Sequence, residues 1–431
     1  MPEVPITNSG LLIGASLLCG SLTVYLLSSE TWRRLALTFG GLAAGGLIGL
    51  GVFWFAVDVR DLFGVTLSDL TRLWVVLGFA GIGLSIVNLF RTRWWRKTVA
   101  AIAVVIFAMT SALQINADFG AFQNLSQVFG KTDVAPLEEV TGERGEVVAG
   151  LADFRDWQPP KDMPAHGQRG AVMIPGATSG FPARQAIVWL PPAALVDHPP
   201  VLPVLIAMSG QPGGPYANFD SGHMDEALDR YQAAHHGIAP ILVAADQLSA
   251  GDVNPMCVDS HTLGNSASYM TIDVPNWVRA HYRVSSDPKM WGLTGFSQGG
   301  TCVSQFMAGH PEIFGSGIAT LSEIGPRLSS IPEAVQKGFG GSQAAFDAAQ
   351  PIAIMQAHGR YRDTMLLFGS GEKDQRYTGY ARELHAAARA AGMQTELILE
   401  PAGHDWHTTQ AVFDRAFPLM AARMGIDRVG R

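Results

Sequence analysis

Residues 289–301 read KMWGLTGFSQGGT, and this stretch decides the fold of the second half of the chain. Its apolar opening predicts a buried strand at residues 289–293, and a helical pattern follows at residues 299–309. Between them lies a Gly-x-Ser-x-Gly turn, whose small residues permit a sharp bend that exposes the hydroxyl of Ser297. The stretch therefore predicts a serine nucleophile on a strand–turn–helix, with a plain glycine-rich turn as the alternative.

Working outward from this turn, short aliphatic runs alternate with helical patterns. Strands are predicted at residues 171–174, 185–190, 202–208, 240–244, 289–293, 317–321, 364–368 and 395–399. Helices are predicted at residues 225–235, 268–281, 299–309 and 377–391. Such alternation indicates an α/β domain with a mostly parallel sheet and helices on both faces, which we place at residues 166–431. The first two strands form a hairpin-like start.

A serine nucleophile needs a base and an acid, which follow it along the chain in the order acid, then histidine. The predicted base is His404, in the loop after the strand at residues 395–399, and His407 is the alternative. The loop after the strand at residues 364–368 offers Glu372 and Asp374. We predict Asp374, which lies deeper in the loop, and Glu372 stays open. The acid would orient the histidine and stabilise its protonated form.

An oxyanion hole requires two backbone N–H donors close to the nucleophile. The residue after the nucleophile, Gln298, supplies one of them. The glycine-rich loop after the strand at residues 202–208 contains Gln211 followed by Pro212, which cannot donate, so Gln211 is the predicted second donor. A phosphate-binding loop is the alternative, but its spacing and its lysine are absent from this sequence.

A metal site is conceivable at the same end of the chain, where His404, Asp405 and His407 stand close together. No cysteine or further clustered ligand accompanies these three residues in the sequence. We therefore expect neither a metal nor a cofactor.

The first part of the chain differs in composition from the rest. Four stretches without a charged side chain, residues 4–29, 35–57, 73–90 and 98–117, are 18 to 26 residues long, and about 20 apolar residues span a bilayer as a helix. They predict an all-α anchor of four transmembrane helices over residues 1–117, followed by a connector at residues 118–165. The opening Met-Pro-Glu has no basic residue, so a cleavable signal peptide is not expected.

Orientation follows from the loops, because cytoplasmic loops collect lysine and arginine. Arg33 and Arg34 lie in the first loop, and four basic residues lie in the third, at 91–97, whereas the other side has Arg60 and Arg72 beside three aspartates. We therefore expect everything after the fourth span to lie outside the cytoplasm. The spans hold no ionisable side chain, which argues against a transporter.

A glycine-rich face at residues 40–51 of the second span suits close packing within the bundle, with self-association of the chain as the alternative. The first 115 residues carry a net charge of +3 and the remainder carries −10. The acidic second part argues against nucleic acid as a partner.

Three cysteines occur in the sequence, and Cys19 lies in the first span. Cys257 and Cys302 belong to the part expected outside the cytoplasm, where oxidation is favoured. A disulfide between them is predicted, with two buried free thiols as the alternative.

The residues around the site resemble a known family. The sequence Gly-Phe-Ser297-Gln-Gly-Gly-Thr-Cys302, together with Cys257-Val-Asp-Ser, Asp273-Val-Pro-Asn-Trp277 and Gly403-His404-Asp-Trp406, resembles the actinobacterial putative esterase family. That family is related to the corynebacterial and mycobacterial mycolyltransferases and to esterase D. The resemblance covers about residues 165–415. It implies an α/β-hydrolase domain with a Ser-His-acid triad, in which the acid can also be a glutamate.

These observations lead to one expected function and two alternatives. We expect a membrane-anchored, extracytoplasmic serine esterase that acts on an ester of the cell envelope, such as a lipid or glycolipid. An acyltransferase of the mycolyltransferase kind, which uses the same acyl-enzyme, is one alternative. A non-catalytic envelope protein is the other, although Ser297, Asp374 and His404 in the expected order favour the enzyme.

Overall fold

The structure is a computed structural model that describes residues 4–28, 31–90, 92–128, 134–137 and 145–428. The chain divides into two compact units. The first contains the described residues up to 128 together with residues 403–405, and the second contains the other described residues.

Within the described residues, four helices of the first unit are long and apolar enough to cross a membrane. They are α1 (Ser9–Leu27), α2 (Trp32–Trp54, continued by a π-helical turn at Phe55–Val59), α3 (Asp69–Asn88) and α4 (Trp94–Phe119). At most a third of the most apolar window of each helix is buried inside the protein, so most of its apolar surface faces outward. These helices coincide with the four uncharged stretches of the sequence. A short helix, α5 (Leu125–Val128), follows.

Hydrogen bonds at one end of the bundle explain why α3 begins four residues before its uncharged stretch. The hydroxyl of Ser68 accepts the N–H of Thr71 at 2.9 Å and so caps the first turn. The Ser68 hydroxyl also donates to the carboxylate of Asp118 in the last turn of α4, and the hydroxyl of Thr71 donates to the same oxygen at 2.6 Å. The capped end therefore extends the helix into charged sequence.

The glycine face of α2 packs against α3. A Cβ atom added at Gly45 would lie 2.2 Å from the carbonyl oxygen of Phe79, and one at Gly41 would lie 2.5 Å from a methyl group of Val87. No larger residue fits at such a distance, so the glycines allow the two helices to approach closely. This face therefore provides close packing within the bundle, as predicted.

The second unit is built on a mostly parallel sheet. Among the described residues its eight strands are β1 (Gln168–Val172), β2 (Ala186–Leu190), β3 (Val204–Met208), β4 (Ile241–Ala244), β5 (Trp291–Phe296), β6 (Ser316–Thr320), β7 (Met365–Gly371) and β8 (Leu397–Glu400). Their order across the sheet is β8-β7-β6-β5-β3-β4-β2-β1. The pairs β1–β2 and β2–β4 are antiparallel, and the other pairs are parallel. Every residue of the five-residue strands β2, β3 and β6 is buried, which requires cover on both faces.

Helices follow most of the strands. They are α6 (Ala217–Asp220), α7 (Met224–Ala233), α8 (Ser266–Ser268), α9 (Val274–His281), α10 (Gln298–Gly309), α11 (Ile331–Phe339), α12 (Gln343–Ala348), α13 (Pro351–His358), α14 (Gln375–Ala390) and α15 (Trp406–Arg423). A π-helical turn, Tyr269–Asp273, joins α8 to α9.

The eight predicted strands are all present, and two differences from the prediction stand out. Strand β5 ends at Phe296, three residues later than predicted, because Gly292 and Gly295 keep their ladder pairing with β6 although they weaken the apolar pattern. Helices α6, α11 to α13 and α15 were not predicted. The first four have only 4 to 9 residues, fewer than an average helix, and α15 contains Pro418 in its interior, which argues against a helix in a sequence window.

The described residues 118–128 of the predicted connector belong to the first unit, whereas its described residues from 134 onward belong to the second unit, which therefore begins before residue 166. Val147–Val148 pairs in parallel with Val284–Ser285, and Phe154 is buried in the core. Of the predicted connector, residues 129–133 and 138–144, which include most of its polar run, lie outside the described residues.

Cys257 and Cys302 form a disulfide, as predicted, with their Cα atoms 5.5 Å apart. Both are buried. The bond joins the loop after β4 to the fifth residue of α10, five positions after Ser297. Cys19, in α1, is not disulfide-bonded, and its thiol lies 3.3 Å from the hydroxyl of Thr110.

Candidate active site

Ser297 stands at the sharp junction between β5 and α10. Its φ of 55° is unusual for a residue with a side chain, and such strain is found at functional positions. A Cβ atom added at Gly295 would lie 2.3 Å from the carbonyl oxygen of Gly299, and one at Gly299 would lie 2.3 Å from that of Met208. Glycine is therefore required on both sides of Ser297, as expected for a turn that presents a nucleophile.

The loop that carries Gln211 lies against this turn. A Cβ atom added at Gly210 would lie 3.4 Å from the Cβ atom of Ser297, so the backbone before Gln211 runs past the serine. The N–H of Gly299 donates to the carbonyl oxygen of Ser209 at 3.1 Å and joins the loop to α10. Gln298 is the first residue of α10 and is buried. The structure thus brings together the two segments that hold the predicted oxyanion donors.

The two candidate acids differ in their surroundings. The side chain of Asp374 is fully buried and caps α14, where its carboxylate accepts the N–H groups of Arg376 at 3.1 Å and Tyr377 at 3.3 Å. These bonds, at the positive end of a helix dipole, stabilise a carboxylate. Glu372 is exposed. The structure therefore places Asp374 in a buried, hydrogen-bonded setting and Glu372 in contact with solvent.

His404 lies in the loop between β8 and α15, and it is 8% exposed, whereas His407 lies on the surface. Residues beside His404 contact the loops of the other two candidates. The carbonyl oxygen of Ala402 accepts the N–H of Lys373 at 3.0 Å, next to Asp374. The ring of Trp406 packs 4.6 Å from that of Phe296, which precedes Ser297.

The topology explains where the strands that precede these residues end. Strands β5, β6, β7 and β8 are neighbours and run in parallel, so their carboxyl ends meet at one edge of the sheet. Ser297, Asp374 and His404 follow β5, β7 and β8. Ligands bind at this edge in open α/β sheets.

Glu323 is a carboxyl group at the same edge that the sequence analysis missed. It follows β6, its side chain is 16% exposed, and its carboxylate lies 3.6 Å from Nε of Arg327. Burial raises the pKa of Glu323 to about 7, although Arg327 and a hydrogen bond from Tyr377 oppose this shift. The sequence did contain a signal for Glu323. It follows the predicted strand at residues 317–321, which lies between the predicted strands that precede Ser297 and Asp374.

The raised pKa of Glu323 predicts a pH dependence of stability. Between pH 4.5 and 7 the folded protein keeps a proton that the unfolded chain has lost, so stability should fall as the pH rises through this window. The loss should reach about 3 kcal/mol, at 1.36 kcal/mol for each pKa unit. Glu323→Gln should remove this slope. Unfolding of both proteins measured in detergent from pH 4.5 to 8 tests the prediction, and parallel pH profiles would contradict it.

Among the described residues, no group of three or more histidine, cysteine, aspartate or glutamate side chains is placed to hold a metal ion.

Comparison with known proteins identifies the family. The model of the family described as "Putative esterase" matches residues 183–422. The chain belongs to this family. The resemblance inferred from the motifs around Ser297 and His404 is thereby confirmed, and the chain is a hydrolase of the esterase class.

The chain is also similar to a curated relative and to solved structures. An uncharacterised protein of Corynebacterium glutamicum is 31% identical over 344 residues, which are 78% of this chain and 79% of the relative. A ferulic acid esterase structure has a TM-score of 0.50 at 16% identity and covers 60% of this chain and 99% of its own. An S-formylglutathione hydrolase from Agrobacterium tumefaciens has a TM-score of 0.50 at 19% identity, with coverages of 61% and 98%. The two structures show the α/β-hydrolase fold.

Proposed function

We propose that this esterase cleaves an ester of the cell envelope through an acyl-enzyme on Ser297, with His404 as the base and Asp374 as the acid that orients it. The observation that carries the proposal is the strained turn at Ser297, with the Gly210 backbone packed against it. The contacts of Ala402 and Trp406, on either side of His404, with the loops of Asp374 and Ser297 support the same set of residues.

The reaction proceeds in two halves. The Ser297 hydroxyl oxygen attacks the ester carbonyl while His404 accepts its proton, and the N–H groups of Gln298 and Gln211 stabilise the oxyanion. The C–O bond then breaks, the alcohol leaves with the proton from His404, and the acyl group stays on Ser297. Water, deprotonated by His404, attacks the carbonyl carbon of the acyl-enzyme, the bond from that carbon to the Ser297 oxygen breaks, and His404 returns the proton to Ser297 as the carboxylic acid leaves.

Asp374 is preferred to the other carboxyl groups of this edge because of its environment. It is buried and accepts two backbone N–H groups, whereas Glu372 is exposed to solvent. Glu323 is already engaged with Arg327, and its raised pKa leaves it largely protonated below pH 7. An acid that stabilises a protonated histidine has to be ionised.

A fluorophosphonate probe, which reacts covalently with activated serines, tests the proposal on the purified full chain. Peptide mapping should locate the label on Ser297, and the Ser297→Ala protein should take up none. A wild-type protein that remains unlabelled would favour the non-catalytic alternative. A label on another serine would contradict the assignment of the nucleophile.

The proposal also places the esterase domain outside the cytoplasm, anchored by the four apolar helices. The basic residues of the first and third loops support this orientation, since the positive-inside rule assigns those loops to the cytoplasm. The Cys257–Cys302 disulfide is consistent with an oxidising compartment. Such an anchor would hold the site near the membrane surface, which favours a lipid or glycolipid ester as substrate.

Topology can be tested with single cysteines in a Cys19→Ser background. Arg428→Cys should react with a membrane-impermeant maleimide in intact cells, because the second unit would face outward. Arg34→Cys, in the predicted cytoplasmic loop, should react only after the cells are opened. The reverse pattern would contradict the proposed orientation.

The acyl acceptor separates hydrolysis from acyl transfer. Both reactions share the acyl-enzyme and differ only in whether water or a sugar hydroxyl attacks it. Product analysis with an envelope lipid as donor, with and without a sugar, distinguishes them: free acid alone indicates an esterase, and acylated sugar indicates a transferase.

A further inference from the structure

Gln247 makes contact with both segments of the proposed oxyanion hole. It lies just beyond β4, and its side chain is fully buried. Its amide nitrogen donates to the carbonyl oxygen of Ser209 at 2.7 Å and to the side-chain oxygen of Gln298 at 2.9 Å. One amide group therefore connects the beginning of the Gln211 loop to the first residue of α10.

The preceding residue, Asp246, acts on the other end of the same loop through Arg184. The buried carboxylate of Asp246 accepts Nε of Arg184 at 2.9 Å and Nη2 at 2.7 Å, a two-pronged pair with little freedom. The same Nη2 atom donates to the carbonyl oxygen of Gly213 at 3.0 Å. Asp246 also accepts the backbone N–H of Arg184 at 2.7 Å, which fixes the base of the arginine.

The loop at residues 209–213 is thus held at both ends. Gln247 binds the carbonyl group of Ser209, and Arg184, which Asp246 orients, binds that of Gly213. Gln211 lies between these points, and its side-chain amide nitrogen donates to the carbonyl oxygen of Asp252 at 3.2 Å. The side chain of Gln298 is held twice, because its own amide nitrogen donates to Asn254 at 3.1 Å.

We propose that Gln247 and the Arg184–Asp246 pair are positioning residues that hold the backbone donors of Gln211 and Gln298 in place for the oxyanion. The inference rests on the proposed function. Its physical basis is that an oxyanion hole is effective when its donors are already oriented before charge develops. The loop lies outside the β ladder, and the side-chain bonds add to two backbone bonds that restrain it, from the N–H of Gly299 to Ser209 at 3.1 Å and from the N–H of Gly213 to Gly251 at 3.3 Å.

Gln247→Leu keeps the approximate shape of the side chain and removes both hydrogen bonds. We expect kcat to fall roughly 10- to 100-fold, since losing an oxyanion donor outright costs 10²- to 10³-fold. KM should change by less than about threefold, because the hole acts on the transition state. Affinity for a trifluoromethyl ketone, which forms a tetrahedral adduct, should fall by the same factor as kcat.

Gln232→Leu is the matched control. Gln232 is also a buried glutamine, and its amide nitrogen donates to the carbonyl oxygen of Ala165 at 3.0 Å and to Asp229 at 3.3 Å, away from the oxyanion loop. It should lower thermal stability while kcat and ketone affinity remain those of the wild type. Equal losses of kcat in both variants would overturn the positioning role.

Arg184→Lys provides a second test if Gln247→Leu does not fold. Lysine keeps the charge opposite Asp246 but cannot reach the carboxylate with two nitrogens and Gly213 as well. As for Gln247→Leu, we expect kcat to fall while KM stays nearly constant. The control is Arg423→Lys, which changes a similar arginine–aspartate pair with Asp363 and should leave kcat unchanged.

The experiments distinguish this inference from the function on which it rests. A wild-type protein without turnover and without fluorophosphonate labelling at Ser297 overturns both. An active, labelled wild type whose Gln247→Leu and Arg184→Lys variants keep full kcat and ketone affinity overturns only the positioning role.

Discussion

Ser297→Ala should lower ester turnover by roughly 10⁴- to 10⁶-fold, because the nucleophile and its base act as one unit. Without the hydroxyl oxygen no acyl-enzyme forms, and only the oxyanion donors and substrate binding remain. The measurement is kcat for a chromogenic ester with the purified full chain in detergent. Ser297 is half-buried at a turn built by glycines, so we expect the variant to keep its fold and its unfolding temperature.

Two further variants test the same unit. His404→Ala should lose about as much activity as Ser297→Ala, and the double variant should lose little more, since each removal already disables the pair. His407→Ala, on the exposed neighbour, should remain active. Full esterase activity in Ser297→Ala would refute the hydrolase mechanism, and a crippled His407→Ala beside an active His404→Ala would reassign the base.

Asp374→Asn should lower kcat by roughly 10³- to 10⁴-fold, since an amide in place of the carboxylate holds the histidine in the wrong tautomer. Asparagine caps helices about as well as aspartate, so α14 should keep its start at Gln375. The fold is therefore preserved while the chemistry is lost. The measurement is kcat as a function of pH, with thermal unfolding as the check on folding.

The matched controls are the other carboxyl groups of the same edge. Glu372→Gln should be mild because Glu372 is exposed, and Glu323→Gln should keep most of the activity while it changes the pH dependence of stability. If Glu372→Gln or Glu323→Gln is crippling and Asp374→Asn is mild, the acid is misassigned. The serine and histidine would keep their roles.

Much of the fold follows from local patterns. The eight aliphatic runs became the eight strands of the main sheet, and the four uncharged stretches became the four long helices of the first unit. Both signals are runs of consecutive apolar side chains, which a short window of sequence records. The turn at Ser297 is also local, because its glycines lie within two residues of the serine.

Several short helices, and one helix with an internal proline, were not predicted from the sequence. α11 and α12 have 9 and 6 residues, and α15 carries Pro418 in its interior. α15 is held by packing: Val412, Phe413 and Phe417 are buried in the core of the second unit. The contacts that stabilise it come from strands distant in sequence, so no window around residue 418 contains them.

The sequence by itself determined the class of fold, and it predicted Ser297 as the nucleophile and the chain order of the residues that would serve it. Only the tertiary structure separated Asp374 from Glu372, revealed Glu323 beside them and joined Asp246 and Gln247 to a loop 33 or more positions earlier. The physical reason is that exposure and side-chain hydrogen bonds depend on which strands become neighbours. The chain order 3-4-5-6-7-8 becomes 8-7-6-5-3-4 across the sheet, and that rearrangement is set by the packing of the whole domain.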